Sequence, residues 1–246
     1  MAQRALTVSV AALSRIGRRE CNEDAFGYWL GADSLVAALC DGAGGHGGGQ
    51  VASRAAVTHV LEAFALQPEV SLNALKWLVQ GANDAVVAQQ VAGTLTADMR
   101  TTIVVLLLNL RSGAALWAHA GDSRLYRWYD ARLLGRTRDQ SLAQSLCDAG
   151  LNARDAAPGQ LTSALGSPEG FDLEVLETPQ VLASGDALLL CSDGLWSAFD
   201  DAAMARSLAG CTNVQAWLDR LEADVQRADR NDQDNYSALA IWCEAG

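Results

Sequence analysis

Apolar residues recur along the chain with two different periods, and the order of those periods predicts the architecture. Short apolar or alternating runs are typical of β-strands, whereas apolar residues at i, i+3, i+4 and i+7 are typical of amphipathic helices. Strands are predicted at about 5–13, 24–30, 34–40, 101–110, 114–120, 125–129, 171–176, 187–191 and 236–242, and helices at about 49–66, 71–91, 200–209 and 213–229. Because runs of strands are joined by helix pairs, we expect an α+β fold in which each helix pair covers one outer face of a β-sheet core.

The spacing of these elements predicts one domain over residues 1–246. The four prolines are scattered, and the sequence shows no linker, repeat or low-complexity tract. The segment 139–170 differs from the rest in being polar and irregular, with one short helix predicted near 140–149. A chain of this length can bury a large core without disulfide bonds.

Composition and charge exclude several classes of protein. Half of the residues are hydrophobic and 19% are charged, which excludes an intrinsically disordered chain. The formal net charge of −11 argues against a nucleic-acid binder that neutralises phosphates. No apolar run approaches the roughly 18 residues of a membrane span, so no membrane association is expected. The alternation over Leu6–Leu13 fits a half-buried first strand better than a signal peptide.

The six cysteines show neither a C-x-x-C pair nor a zinc-site spacing. Reduced thiols in a cytoplasmic protein are the simplest interpretation. Cys21, Cys40 and Cys191 flank acidic motifs, and packing at strand ends is favoured over a redox-sensitive thiol at a site.

Carboxylates stand at the ends of five predicted strands, each beside Gly or Asn. The pairs are Asn22-Glu23, Asp41-Gly42, Gly121-Asp122, Asp193-Gly194 and Asp234-Asn235. If a sheet gathers these side chains, repulsion and burial raise their pKa values unless a divalent cation neutralises them. All-oxygen ligation selects a hard ion such as Mg²⁺ or Mn²⁺. Taken singly, each Asp is better explained as a turn residue or a helix N-cap.

Six short motifs that contain these residues occur in order over nearly the whole chain. They are Arg19-Glu20-Cys21-Asn22-Glu23-Asp24, Asp41-Gly42-Ala43-Gly44-Gly45-His46, Thr101-Thr102, Gly121-Asp122-Ser123-Arg124, Ser192-Asp193-Gly194-Leu195 and Asp234-Asn235. Each motif is weak alone, but the ordered set resembles the signature of the metal-dependent serine/threonine protein phosphatases of type 2C, in their compact bacterial form. The resemblance implies a four-layer α-β-β-α sandwich, in which two antiparallel sheets pack face to face between helix pairs.

The resemblance also implies a two-metal site in the cleft at one end of the sandwich, with a third ion allowed. Asp41 would bridge two Mg²⁺ or Mn²⁺ ions, and the Gly42 carbonyl would bind one of them. The other implied ligands are Asp193 and Asp234 on the first ion, Glu23 with Asp24 beside it on the second, and Asp122 with Asp193 on a third, weaker ion. Arg19 matches the arginine that grips the substrate phosphate.

Phosphoserine and phosphothreonine in proteins are the substrates that the resemblance implies. A hydroxide between two ions would attack phosphorus in line, with Asp41 and Asp193 holding the ions and Arg19 stabilising the developing charge. Many relatives carry a His, the proposed general acid, where this chain has Ala43. That task falls to metal-bound water or to His46, a substrate-binding candidate in the glycine-rich loop. His59 and His119 are interpreted as structural.

Other departures from the family pattern lie near the predicted cleft. Arg100 stands where Gly usually precedes the threonine motif, and Gln140 stands where a His often follows the position of Asp139. The segment 139–170 matches the family's variable flap, a substrate-selecting loop. The resemblance to the compact bacterial form implies that the protein reverses phosphorylation by a bacterial serine/threonine kinase. The segments Arg100–Thr102 and Trp117–Arg127 resemble phosphatases linked to type VI secretion.

Two other functions compete with an active protein phosphatase. One is a catalytically weak or inactive phosphatase-like binding module, which the intact set of implied metal ligands disfavours. The other is a different two-metal hydrolase such as a nuclease, which the acidic charge and the lack of a basic stripe disfavour. A monomer is expected.

Overall fold

Strands form two antiparallel sheets in the computed structural model, which describes residues 5–43, 48–157 and 159–246. The strands are β1 (Leu6–Arg15), β2 (Asp24–Leu30), β3 (Ser34–Ala43), β4 (Arg100–Thr101), β5 (Ile103–Asn109), β6 (Ala114–Ala120), β7 (Arg124–Tyr129), β8 (Arg132–Arg136), β9 (Glu174–Val175), β10 (Gln180–Val181), β11 (Asp186–Cys191) and β12 (Tyr236–Ala245). The helices are α1 (Gly48–Leu66), α2 (Leu72–Val87), α3 (Leu142–Asp148), α4 (Asp193–Trp196), α5 (Asp201–Arg206) and α6 (Val214–Ala228), with a 3₁₀ turn at Ala153–Asp155.

The order of strands in each sheet shows how distant parts of the chain meet. One sheet has the order β1-β12-β11-β7-β8, so the first and last strands are neighbours. The other has the order β10-β6-β5-β3-β2, with β4 added to β3 and β9 to β6. Every pairing in both sheets is antiparallel. The predicted pair of antiparallel sheets is therefore confirmed.

Alternation along the central strands divides the core into three apolar layers. In β3, Leu35, Ala37 and Leu39 face the layer between the sheets. The intervening Val36, Ala38 and Cys40 face α1 and α2 on the outer side. Because both faces of the strand are covered, the whole run Ser34–Cys40 is buried. A third layer lies between β11 and the helices α5 and α6. These layers confirm the four-layer sandwich.

The helix pairs are positioned by amphipathic faces that the sequence predicts. In α6, Trp217, Leu218 and Leu221 are buried against the sheet. The Trp217 ring meets that of Trp128 on β7 edge to face, with centroids 5.0 Å apart. Ser71 caps α2, because its side chain accepts a hydrogen bond from the backbone N–H of Ala74.

The differences from the predicted elements lie at edges and breaks. The strand predicted over 101–110 is divided at Thr102, and the strand predicted at 171–176 is paired only over Glu174–Val175. The sequence pattern missed β8, β10 and α4. Both β8 and β10 are largely exposed edge strands, so they lack the apolar alternation that marks a buried face. Residues 139–170 carry α3 and the 3₁₀ turn and are otherwise irregular, as predicted.

The structure also bears on the predictions for membrane spans and cysteines. Within the described ranges, no helix is long and apolar enough to cross a membrane. All six cysteines are free thiols. Cys40 and Cys191 are buried in the outer apolar layers, in agreement with a packing role, whereas Cys21 is partly exposed.

Candidate active site

Strand ends bring the predicted carboxylates together at one end of the sandwich. Asp41 follows Leu39 by two residues on β3, so its side chain points between the sheets. Asp24 lies directly opposite Asp41 in the register of β2 and β3. Asp193 begins α4 just beyond β11, and Asp234 precedes β12, which pairs with β11. Residues far apart in sequence therefore share one cleft.

A cavity of about 530 Å³ opens at this end of the sandwich. The predicted site residues that line it are Arg19, Glu23, Asp41, Gly42, Asp122, Asp193 and Asp234. Asp24 is not among them: it is buried behind the cavity, where its Oδ2 accepts a 2.8 Å hydrogen bond from the Ser192 hydroxyl. His46 lies outside the described residues. The predicted set is thus brought together around one cavity, with Asp24 as its buried support.

Burial and mutual repulsion raise the pKa values of four aspartates at the cleft. Burial raises the pKa of Asp24 and of Asp122 to about 7 each, with repulsion from Asp193 adding to both. Burial also raises the pKa of Asp41 well above its ordinary value, and four neighbouring aspartates raise it further. The pKa of Asp193 is raised by burial and by Asp234. The ionised forms of such a cluster are destabilised by burial and mutual repulsion, and a bound cation would offset both effects.

The donor set fits a hard divalent cation. Buried oxygens of Glu23, Asp24 and Asp193 have no hydrogen-bond partner, which is unusual for buried carboxylates. All the side chains are oxygen donors, as Mg²⁺ and Mn²⁺ prefer. Within the described ranges, however, no three His, Cys, Asp or Glu side chains converge closely enough to hold an ion. The Arg19 guanidinium lies against one of the predicted ligands, with its Nη2 2.6 Å from Asp234 Oδ2. Binding of an ion would therefore require side chains to rearrange.

Two threonines fix the backbone at Asp41. The Asp41 N–H donates to Thr102 Oγ1 at 2.9 Å, and the Thr101 hydroxyl donates to the Asp41 carbonyl at 2.9 Å. Thr102 Oγ1 also lies 2.7 Å from Ser123 Oγ. At the break between β4 and β5, the Thr102 hydroxyl thus takes the place of a backbone carbonyl as the acceptor for the Asp41 N–H. The break therefore helps to position Asp41. The Thr101-Thr102 motif in the sequence was the signal for this role.

Glycine is required next to Asp41 by close packing. A Cβ at Gly42 would lie 2.1 Å from the Gly49 carbonyl oxygen and 2.8 Å from that of Glu23. The Gly42 N–H also donates to the Glu23 carbonyl at 3.1 Å. The start of α1 and the Glu23 segment therefore both approach the backbone beside Asp41.

Asn235 ties the loop that carries Arg19 and Glu23 to the last strand. Its Oδ1 accepts from the Glu23 N–H at 2.9 Å. Its Nδ2 donates to the carbonyls of Ile16 and Cys21 at 2.7 and 2.9 Å. Sequence reasoning gave no role to Asn235, although its position beside Asp234 marked it. The amide positions both ends of this loop relative to Asp234.

Replacing Asn235 with Ala is expected to lower both stability and activity. The change removes the partners of the Glu23 N–H and the Cys21 carbonyl and leaves the Ile16 carbonyl with the Arg19 N–H alone, at a cost of about 1–3 kcal/mol. Asn213→Ala is the matched control, because it removes the α6 N-cap at a cost of about 0.5–2 kcal/mol. Urea denaturation should show similar losses in the free energy of unfolding for the two variants, but only Asn235→Ala should weaken Mn²⁺ binding. If the two variants bound Mn²⁺ with equal affinity, Asn235 would have no role in positioning the site.

A buried ion pair holds the loop of Asp122. Arg124 donates to both oxygens of Asp139, at 2.8 and 2.7 Å, and its guanidinium lies 3.4 Å from the centre of the Trp196 ring. The Trp196 indole N–H in turn donates to the Asp122 carbonyl at 2.9 Å. Gln140 pairs with Gly121 through both its backbone and its side chain. The departure at Gln140 therefore joins segment 139–170 to the loop that carries Asp122.

No histidine is found among the described residues that line the cavity. His119 is buried, with its Nε2 2.7 Å from the Arg138 carbonyl oxygen, which agrees with a structural role. His59 lies on α1, where its Nε2 is buried. Ala43 is exposed at the rim and has no proton to donate.

Comparisons with known proteins agree with this geometry. A family model described as protein phosphatase 2C matches residues 13–228. The serine/threonine protein phosphatase PstP of Mycobacterium tuberculosis is 31% identical over 212 residues, 85% of this chain and 40% of its own length. The serine/threonine phosphatase Stp of Listeria monocytogenes is 29% identical over 235 residues, 91% of this chain and 90% of its own. The chain thus spans less than half of the mycobacterial relative.

Solved structures extend the similarity to the whole fold. The catalytic domain of PstP in complex with two manganese ions has a TM-score of 0.79 and 29% identity, over 97% of this chain and 99% of that domain. PppA of Pseudomonas aeruginosa, described as a key regulatory component of the type VI secretion system, has a TM-score of 0.73 and 27% identity, over 96% and 97%. Taken with the family match over most of its length, these likenesses show that the chain belongs to the protein phosphatase 2C family.

Proposed function

We propose that this protein hydrolyses phosphoserine and phosphothreonine in proteins with the help of divalent metal ions. The observation that carries the proposal is the cluster of buried and half-buried aspartates at one end of the sandwich, with the Arg19 guanidinium beside it. A cluster of carboxyls with raised pKa values and unpartnered oxygens is costly unless it binds cations. The names of the relatives as serine/threonine phosphatases support phosphoproteins as the substrates.

The site would hold two Mg²⁺ or Mn²⁺ ions, as the two manganese ions of the PstP domain suggest. We assign as ligands Asp41, the Gly42 carbonyl, Asp193, Asp234 and Glu23, with Asp122 toward a third ion and Asp24 as a buried neighbour. Bound ions at such a site lower the pKa of water and neutralise charge on the phosphoryl group.

The remaining work falls to side chains of this chain. Arg19 is 59% exposed, so it can turn from Asp234 toward a phosphoryl group and donate two parallel hydrogen bonds. Thr101 and Thr102 keep the Asp41 backbone in place while charge builds up in the cleft. The proton for the leaving serine or threonine oxygen comes from water in the cavity or from His46, since Ala43 has none to give.

We expect a serine/threonine kinase to supply the substrate, since such enzymes make these phosphoesters. The likeness to PppA, at 27% identity, is close to the 29% for the PstP domain, so it does not favour type VI secretion over another pathway. An inactive binding module is not favoured, because all the assigned ligand types are present. We expect a cytoplasmic monomer.

Phosphate release from a phosphothreonine peptide tests the proposal. The protein should release phosphate with Mn²⁺ or Mg²⁺ and lose this activity in excess chelator, with recovery on adding metal. Titration with each ion would also establish which is preferred. If purified, folded protein with Mn²⁺ released no phosphate from phosphoserine or phosphothreonine peptides, the proposal would be wrong.

Replacing Arg19 with Ala is expected to lower kcat/KM by about 10²-fold, the usual scale for one donor to a transition-state charge. Because the Arg19 guanidinium also occupies Asp234, the variant should bind Mn²⁺ at least as tightly as the parent. Calorimetric Mn²⁺ titration and steady-state kinetics measure the two effects. Arg111→Ala is the control, since Arg111 lies away from the cavity, pairs with Asp33 and should change neither by more than about twofold. Weaker Mn²⁺ binding by Arg19→Ala would contradict the idea that the Arg19 guanidinium competes with the ion for Asp234.

A further inference from the structure

A second groove adjoins the active-site cavity. It has a volume of about 750 Å³ and shares Ala43, Gly159 and Leu161 with that cavity. Its other side is formed by the loop 162–172, part of which belongs to the flap-like segment. A protein chain that places a phosphorylated residue in the cavity can therefore continue directly into this groove.

Arg100 lies at the end of the groove that is nearest the cavity. It pairs with Ala43 in the register of β3 and β4, two residues along the strand from Asp41. Two strand residues span about 7 Å and neighbouring strands lie about 5 Å apart, which puts the Cα atoms of Arg100 and Asp41 about 9 Å apart. An extended peptide covers that distance in about three residues.

The guanidinium of Arg100 has spare donors. One nitrogen donates to the Gly166 carbonyl. The arginines that line the cavity, Arg18 and Arg19, are both paired with carboxylates, but among the described residues Arg100 forms no ion pair. A half-buried positive charge without a counterion, at the wall of a groove, is suited to bind an anion of a ligand.

Two other side chains hold the loop that Arg100 contacts at Gly166. The Gly166 carbonyl already accepts a 2.6 Å hydrogen bond from Gln90 Nε2. The Gly166 N–H donates to Asn83 Oδ1 at 2.9 Å. Two side chains, one on α2 and one in the turn after it, therefore already fix this loop. The packing of the loop does not by itself require the several donors of the Arg100 guanidinium.

From these observations we infer that Arg100 is a specificity-determining residue, which binds an anionic group of the substrate about two to four residues from the phosphorylated one. The inference rests on the proposed function, since the groove is assigned to the phosphoprotein chain itself. The anion is an acidic side chain or a second phosphoryl group. Glu169 and Asp172 also line the groove, so a run of anions is disfavoured and a single one next to the cavity is preferred.

Matched phosphothreonine peptides test this inference. One series has Gln at every flanking position, and the others place one Glu or one phosphoserine two, three or four residues to either side. For the intact protein with Mn²⁺, kcat/KM should be about two- to fivefold higher for the best Glu peptide than for the Gln peptide. The best phosphoserine peptide should exceed the Gln peptide by a larger factor. Since the pairing is partly exposed, the preference should decrease at high salt.

Three variants decide whether Arg100 is the cause. Arg100→Gln should bring the ratio of acidic to neutral peptide to about one, whereas Arg100→Lys should keep most of it. Arg111→Gln removes the same charge from an exposed arginine at the opposite end of β5, where it pairs with Asp33, and should keep the full ratio. Thermal denaturation checks that each variant is folded.

The outcomes separate the inference from the proposed function. If peptides are hydrolysed but Arg100→Gln keeps the parent's ratio, or the parent shows no acidic preference at any position, the inference is overturned and the phosphatase activity stands. If neither the peptides nor p-nitrophenyl phosphate, which has no flanking residues, is hydrolysed with Mn²⁺, the proposed function fails and the inference with it.

Discussion

Replacement of Asp41 with Asn is expected to lower the rate of phosphate release by about 10³-fold or more. It is also expected to raise the melting temperature of the metal-free protein. Activity falls because the amide removes a charged donor at the centre of the cleft. Stability rises because burial and four neighbouring aspartates disfavour this carboxylate, and Asn has the same shape without the charge. A gain of about 1 kcal/mol would raise the melting temperature by about 2–4 °C in a chain of this size.

Asp139→Asn is the matched control for this prediction. It makes the same chemical change in a buried carboxylate, but one that accepts two hydrogen bonds from Arg124. Removing the carboxylate charge beside that buried guanidinium should cost about 3–5 kcal/mol. Calorimetry in chelator and phosphate-release assays with Mn²⁺ compare the two variants. A fall in melting temperature for Asp41→Asn, or retained activity, would mean that Asp41 is not the strained centre of a metal site.

The contrast between Asp41 and Asp139 also shows what can be predicted from a sequence. Strand alternation and the order of elements predict β3 and its helix pair, because a face buried on a core leaves a periodic apolar signal. The same alternation directs Asp41 between the sheets. The edge strands β8 and β10 leave no such signal, since their side chains are mostly in water. The sequence pattern therefore predicts the layers better than their borders.

The hydrogen bonds that support the site could not be predicted from sequence spacing. Asp24 meets the Ser192 hydroxyl across 168 positions, and the Glu23 N–H meets Asn235 across 212. Such pairs depend on the register between strands and on where each chain segment turns, neither of which alternation specifies. For this reason the motifs identified the residues around the cavity, but not the position of Asp24 behind it.

Without metal, the protein is expected to lose stability as the pH rises from about 4 to about 8. Asp24 and Asp122 have a pKa of about 7 in the folded protein, against an ordinary value of 3.8. Between these values the folded chain holds protons that the unfolded chain has released, so unfolding becomes more favourable as pH rises. At about 1.4 kcal/mol per pKa unit, each group contributes at most about 4 kcal/mol. Urea denaturation in chelator between pH 4 and 8 measures this slope.

Saturating Mn²⁺ is expected to reverse that slope, because the ion binds the deprotonated carboxylates and its affinity increases with pH. At a free concentration 100 times the Kd, binding adds about 2.7 kcal/mol to the free energy of unfolding. The same urea series with Mn²⁺ should therefore diverge from the chelator series above pH 6. Asp122→Asn, which removes one of the four aspartates with a raised pKa, should flatten the chelator curve. Superimposable curves with and without Mn²⁺ would show that the raised pKa values belong to a buried acidic cluster that binds no metal.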